Sequence, residues 1–379
     1  MTQESPVGPS TFNTMRAQQE GTEEARMITI GVDAHKRVHV AVAVDDDGRE
    51  LDQWRGPNSV AGWHDLQTWA RPHGPQRQWG IEGAWGYGRG LAQTLVSAGD
   101  AVYEINTRWT AIGRRSARRA GKTDLPDAQA IALCLKREGP SLPRVHQDDE
   151  SAILDLLAVE RDSTLVESTR MRNQIHALLT QIDPEYQTRL PNLQTKTALR
   201  TIARYRARRG NALQEERAAS VRRLAARLLL TLQHSEELAG RIKEIAATHF
   251  TPLTELCGVN LLTAGTLAGI LGPGRRFATD AQLAAYAGAA PLEASSAGMV
   301  RHRLNRGGNR RLNAVLYRIV LTQAHHSPEA RRYLSRRVAE GKTKREAMRA
   351  LKRYIVRAIW HLWQRCAPVT QGVSVGVAA

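Results

Sequence analysis

Four acids, Asp33, Glu82, Asp124 and Asp127, stand where carboxylate chemistry needs them. Asp33 closes an apolar run over Met27–Val32, and Glu82 closes another over Gln78–Glu82. The ends of neighbouring strands bring such carboxylates to one edge of a sheet. Asp124 and Asp127 open a helix three residues apart, about 60° around its axis and ~4.5 Å along it, so both face one way. Carboxylates held that close repel unless a cation lies between them. Hard divalent ions with oxygen ligands suit the set, Mg²⁺ above all, because it needs few protein ligands and leaves room for phosphate. Ions about 3.5–4 Å apart on such acids serve phosphoryl transfer. Taken singly, each acid has a plainer role: Asp124 as a helix cap, Asp127 as a partner of the helix dipole, Asp33 as a turn ligand. Their joint placement points to chemistry.

The elements that must hold them are legible. Met27–Val32 reads as a strand, and His39–Val44 alternates like a second before the turn Asp45-Asp-Asp-Gly48. Glu50–Arg55 follows as a strand and Val60–Ala70 as a helix. Gln78–Glu82 is a strand, Tyr87–Ala98 a helix stopped by Gly99, Ala101–Ile105 a strand and Leu125–Lys136 a helix. The order βββαβαβα is that of a ribonuclease H-like fold. Beyond it, Leu154, Leu157, Val166, Met171, Ile175, Leu178 and Leu179 keep helical spacing up to the break at Asp183-Pro184, and Arg217–Ala247 resumes it. Two long antiparallel helices are expected, as a coiled-coil arm or an ordinary helical domain. Leu256–Gly269 resembles a helix–hairpin–helix, whose amides can face a DNA phosphate.

Lysine and arginine number 54 against 37 acids, a net charge of +17 that attracts polyanions, of which a phosphate backbone is the commonest large one, although a ribosomal or merely soluble basic protein is the plainer reading. Arg114, Arg115, Arg118, Arg119 and Lys122 precede the Asp124 helix, and Arg301, Arg303, Arg306, Arg310 and Arg311 crowd a later stretch. Either cluster can be a solvated face; beside proposed catalytic segments they read as phosphate contacts. Aromatics are 5% of the chain, too few for a broad base-stacking platform. Cys134, Cys257 and Cys366 form no Cys-x-x-Cys pair, so neither disulfides nor zinc are expected, in keeping with a reducing cytoplasm. His35, His325 and His326 lack partners at metal-ligand spacing and read as structural or surface residues; Trp85 and Tyr87 read as packing. Met1–Arg26 lacks the apolar core of a secretory signal, and no run spans a bilayer, so a soluble cytoplasmic protein without membrane contact is expected.

The segments Gly31-Val-Asp-Ala-His-Lys36, Ile81-Glu-Gly-Ala-Trp-Gly-Tyr87 and Lys122-Thr-Asp-Leu-Pro-Asp-Ala128 resemble the D, E and D-x-x-D motifs of the DEDD insertion-sequence transposases, the family of the Piv-type invertases and the RNA-guided bridge recombinases. The resemblance continues through 256–269, Phe277–Pro291, Ser295–Arg301 and Arg306–Leu312, covering roughly 27–365. It implies an α/β plus α organisation: a disordered tail over 1–26, a RuvC-like (ribonuclease H-like) DEDD domain over 27–145, a helical, coiled-coil region over 146–250, a mainly helical serine transposase domain over 251–365 with the helix–hairpin–helix-like element, and a loose tail over 366–379. It also implies a nucleophilic serine. Ser296 matches, five residues after Pro291, although Ala297 stands where members commonly have glycine, and the adjacent Ser295 stays open as the alternative.

The implied reaction is strand cleavage and exchange through a phosphoserine, with Mg²⁺ on the four acids offsetting charge on the phosphoryl and leaving oxygens. Implied partners are DNA (element ends and target), a guide RNA encoded by the element, and further copies of the chain in a homodimer or homotetramer whose protomers share the site. Two rivals remain: a metal-dependent Holliday-junction-type endonuclease using water, and a non-catalytic nucleic-acid-binding protein.

Overall fold

The computed structural model describes residues 27–105, 124–206, 211–274, 276–290, 292–293, 302–303 and 308–366. The chain divides after Val145 into two compact units.

The first unit is built on a five-stranded sheet: β1 (Ile28–Ala34), β2 (Val38–Val44), β3 (Glu50–Pro57), β4 (Arg77–Glu82) and β5 (Ala101–Ile105). Helix α1 (Val60–Ala70) joins β3 to β4, α2 (Arg89–Ser97) joins β4 to β5, and α3 (Asp124–Glu138) follows. The strand order is β3-β2-β1-β4-β5; the first three run antiparallel, while β4 and β5 continue parallel to β1. The order βββαβαβα read from the sequence is thus present, with ends shifted by one to two residues.

Alternation assigns the two faces of the sheet. Ile30, Val32, Ala41, Trp79, Ile81 and Val102 pack with Leu66 of α1 and with Leu91 and Leu95 of α2 in one buried cluster. Val40, Val42 and Val44 pack on the opposite face with Ala128 and Ala132 of α3, where Ile105 also meets Ile131 and Leu135. Glycine lets α3 lie flush on that face. A Cβ on Gly31 would come within 2.2 Å of the Ala128 carbonyl oxygen and 2.3 Å of the Ala132 nitrogen, and one on Gly80 within 3.1 Å of Ile105.

The second unit is helical. Helix α4 (Glu150–Ile182) is followed by α5 (Tyr186–Arg189), α6 (Lys196–Ile202) and α7 (Ala212–His249). The two long helices are antiparallel, for Gln181 near the end of α4 accepts from Gln214 at the start of α7, and Glu160 lies 2.8 Å from His234 further along. Leu154 and Leu157 open the buried stripe of α4, and Met171, Ile175 and Leu179 close it, while Thr164 and Ser168 fill the middle. Their hydroxyls donate to the α4 carbonyls of Arg161 and Leu165, so burial leaves no unmet donor. Val166 was expected on the apolar stripe but is 61% exposed: it lies about 200° round the helix from Thr164, and the hydroxyl residues hold the seam instead.

The remaining elements are α8 (Leu261–Leu271), α9 (Asp280–Tyr286), the two-residue strands β6 (Leu292–Glu293) and β7 (His302–Arg303), α10 (Arg310–His326), α11 (Pro328–Ala339) and α12 (Lys344–Gln364). Their core joins Leu267 and Leu271 of α8 and Leu316 and Ile319 of α10 to Ile355 and Trp363 of α12. Where a helix–hairpin–helix was expected, the first limb is a 3₁₀ turn, Thr251–Glu255; Gly258, at φ 90°, makes the bend and Asn260 caps α8. Among the described residues no helix is long and apolar enough to cross a membrane.

Replacing Gly31 by Ala is expected to push α3 off β1. A methyl cannot share space with backbone atoms, so urea unfolding should show a loss of at least about 2 kcal/mol. Ala43→Ser, a small change on the other face of the sheet, serves as the comparison.

Candidate functional site

Asp33 and Glu82 are direct neighbours: β1 and β4 are parallel, and the register pairs these two residues at their carboxyl ends. Asp33 lies two residues beyond Gly31, and Glu82 two beyond Gly80, so both acids belong to the face that α3 covers. Helix α3 runs counter to β1. Its Ala128 and Ala132 pack at Gly31, while Lys136, two turns later, reaches the Asp45 carbonyl just after β2, at the opposite end of the sheet. The amino end of α3, with Asp124 and Asp127, is therefore the end directed to Asp33 and Glu82. Asp124 opens the helix; its side chain lies outside the described residues.

Asp33 is 7% exposed, deep enough that its charge depends on what surrounds it. His35 Nε2 lies 3.1 Å from its Oδ2. The spacing of His35 gave no hint of this role: the pairing arises from the turn after β1, in which the His35 amide donates to the Val38 carbonyl. A second unforeseen residue is Asn58. Its Nδ2 donates to the carbonyls of Tyr87, His35 and Lys36 at 3.1, 3.4 and 3.4 Å, and its Oδ1 accepts from Trp63 Nε1 at 3.0 Å. One amide thereby gathers the loops that follow β1 and β4 around the acid pair. Trp85 donates to Glu104 at 3.1 Å beneath the Arg89 guanidinium, and Tyr87 is exposed.

Among the described residues no three of His, Cys, Asp and Glu lie close enough to hold a metal ion. The donor chemistry nevertheless suits a hard divalent ion, since two carboxylates side by side at a shielded strand edge are offset by positive charge.

Of the residues singled out in the second unit, Ser295, Ser296, Arg301 and Arg306 lie outside the described residues, as does the side chain of Arg303; so do Arg114, Arg115, Arg118, Arg119 and Lys122 of the first unit, and the tail over 1–26. The two ends of the serine-bearing segment are described. Gly288 and Gly308 touch so closely that a Cβ on Gly308 would lie 2.1 Å from the Gly288 nitrogen. Asn309 ties the same point, donating from its backbone to the Tyr286 carbonyl at 2.7 Å and from Nδ2 to the Tyr286 hydroxyl at 2.8 Å, while its Oδ1 caps α10. Arg276, buried and stacked on the rings of Phe277 and Tyr286, donates to the same hydroxyl at 3.3 Å. Asn313 donates to the Ala287 carbonyl and accepts from the buried Lys352 at 2.9 Å. Burial lowers the pKa of that ammonium.

Arg310 is exposed at the start of α10. Arg311 instead bonds Asp155 at 2.7 Å and lies 3.6 Å from Asp162, both on α4. His325 and His326 are exposed, as expected. The three cysteines are free thiols, with Cys134 and Cys366 buried.

Comparison with known proteins places this geometry in context. A DEDD-type profile described as "Transposase" matches residues 30–184, and a profile described as "Transposase IS116/IS110/IS902 family" matches 251–335, together more than half of the chain. Similar proteins include the 43.6 kDa protein of insertion element IS110 from Streptomyces coelicolor, 28% identical across 63% of this chain and 70% of that protein. The 44.8 kDa protein of insertion element IS116 from Streptomyces clavuligerus is 25% identical across 91% and 98%. The 42 kDa protein of insertion element IS900 from Mycobacterium paratuberculosis is 26% identical across 89% and 95%.

Asn309→Ala should lower the unfolding free energy by about 1–2 kcal/mol, because a helix cap and a half-buried hydrogen bond are lost together. Asn309→Ser restores the cap alone and should recover about half of that loss in chemical denaturation.

Proposed function

Because the chain belongs to the IS116/IS110/IS902 family of transposases, we propose that it cuts and rejoins DNA at the ends of an insertion element through a phosphoserine intermediate. Members of this family are transposases, which act on DNA. The observation that carries the chemistry is the in-register pairing of Asp33 and Glu82 at the carboxyl ends of parallel strands, beneath the amino end of the helix bearing Asp124 and Asp127.

In this reading 27–145 is a ribonuclease H-like, RuvC-like catalytic domain. The sheet order, with three antiparallel strands continued by two parallel ones, and the acids at strand ends support it. Residues 146–250 are a helical arm and 251–365 the serine domain with its helix–hairpin–helix-like entry. Asp33, Glu82, Asp124 and Asp127 would hold Mg²⁺, which when bound supplies positive charge at the phosphoryl and leaving oxygens.

Ser296 is the nucleophile, with Ser295 its alternative. As its Oγ–P bond forms, the P–O3′ bond breaks, and the hydroxyl proton passes by way of a base or solvent to the departing 3′ oxygen. The ester conserves the energy of the broken bond, so rejoining reverses the same step without ATP. The tie of Gly288, Gly308 and Asn309 fixes both ends of the serine segment. Arg114, Arg115, Arg118, Arg119, Lys122, Arg301, Arg303, Arg306 and Arg310 contact phosphates. Arg311 joins them only by giving up Asp155.

An RNA encoded by the element directs target choice, and the chain works in the cytoplasm as a homodimer or homotetramer. The net charge of +17, which attracts nucleic acid, and the resemblance of the motifs to a family that includes RNA-guided recombinases support the RNA.

The test is covalent trapping on a supercoiled plasmid carrying the element's ends, with Mg²⁺ and RNA transcribed from its flank. Ser296→Ala and Asp124→Ala, like removal of Mg²⁺ by EDTA, should each abolish the protein–DNA adduct, and Ser295→Ala should retain it. Mg²⁺-dependent cleavage with no adduct, indifferent to both serines, would replace this mechanism with hydrolysis by water.

A further inference from the structure

Residues 328–365, most of which form α11 and α12, carry twelve basic and three acidic residues, a far denser positive charge than the rest of the chain. Two of the three acids are committed: Glu340 pairs with Arg336 and Arg337, and Glu346 lies 4.0 Å from Arg349 and bonds the backbone of Thr343 at the start of its helix; the third, Glu329, stands in the first turn of α11. Arg353 and Arg365 are matched from elsewhere in this unit, by Asp280 at 2.9 Å and Glu255 at 2.7 Å. Arg331, Arg332, Lys342, Lys344, Arg345 and Arg357 are all exposed, and among the described residues none has a carboxylate within ion-pair distance. Uncompensated like charges at this density repel one another, and a polyanion relieves them.

An aromatic pair stands among these cations. Tyr354 of α12, 59% exposed, meets Tyr333 of α11 edge to face, with ring centroids 5.3 Å apart at 72°. The Arg336 guanidinium lies 5.4 Å from the Tyr333 ring centre, so Tyr333 is in contact with both a cation and the Tyr354 ring. Arg357 follows Tyr354 by three residues and stands on the same side of α12. The two rings are too close to admit a base between them, so the free surface is that of Tyr354. A flat ring exposed among cations takes an unpaired base whose own phosphates meet the surrounding arginines. A duplex hides its base faces and offers only the phosphates.

We propose that the α11–α12 surface binds single-stranded DNA, with Tyr354 stacking on an unpaired base and Arg331, Arg332 and Arg357 holding the flanking phosphates. The choice of DNA rests on the transposase reading above, since strand exchange exposes unpaired bases next to the cut. Most of the surface, α12 included, lies beyond residue 335, where the family match ends.

The test is fluorescence anisotropy of the full-length chain in EDTA, so that no cleavage enters, with a dT 20-mer, a duplex of equal length and an rU 20-mer. Tyr354→Ala should weaken dT binding about tenfold and leave duplex binding within about twofold, and Tyr354→Trp should keep the wild-type affinity. Arg357→Ala should flatten the salt dependence by about one unit on both DNAs. Tyr354 is exposed, so an unchanged thermal melt shows that the variants are folded. Equal losses on dT and duplex, or no loss on either, would overturn the proposal. Tighter, Tyr354-dependent binding of rU than of dT would overturn the assignment to DNA. Because the assay contains neither Mg²⁺ nor cleavable ends, its failure would leave the phosphoserine mechanism untouched, and loss of adduct in the Ser296 experiment would leave this surface untouched.

Discussion

The first unit depends on the contact between the backbone of one helix and the backbone of one strand. Ala128 and Ala132 of α3 rest on Gly31 of β1 with no side chain between them. That contact sets the height of α3 above the sheet and the point where its amino end emerges. It follows that Asp33 and Glu82 lie at the edge to which the amino end of α3 is directed, although 49 residues separate the two acids and 42 more separate Glu82 from the start of α3. Close packing of this kind has little slack, because a displaced backbone carries every side chain on it. The valines of β2 and the Ile131–Leu135 pair complete the same layer and hold α3 against sliding.

The second unit solves a different problem, how to hold a long antiparallel helix pair and a compact helical core with one chain. Apolar clusters grip the helices at both ends, one with α6 against Ile175 and Leu228, the other with α8 against Leu154 and Ile242. Between them Thr164, Ser168 and Ser235 make a seam of buried hydroxyl side chains. Helix starts are written into this part of the sequence: Asn211, Asn260, Thr279, Asn309, Ser327 and Thr343 each accept a first-turn amide.

The sequence made the elements of the first unit legible because strand alternation and turn residues agreed at almost every step. Val60–Ala70 and Ala101–Ile105 have the boundaries expected, and the places of Asp33 and Glu82 followed from strand ends alone. What escaped was whatever depends on tertiary approach. Gly31 looked like part of a motif, and only the packed helix explains why no side chain fits there. His35 and Asn58 are ordinary loop residues until the turns fold and bring them to Asp33 and Tyr87. Val166 satisfied a helical period that Thr164 and Ser168 in fact hold. Arg311 belonged to a charge run in the sequence, and Asp155, more than a hundred and fifty residues upstream, is what it bonds.

The meeting of Gly288 with Gly308 has a consequence for how this chain can vary. The segment between them leaves and re-enters the core at one point, so its ends are already joined by the fold. Lengthening such a segment costs only about 0.6 kcal/mol for each doubling. A limit on the length of the stretch between residues 293 and 302 would therefore come from what Ser296 has to reach and not from the folding of α9 and α10.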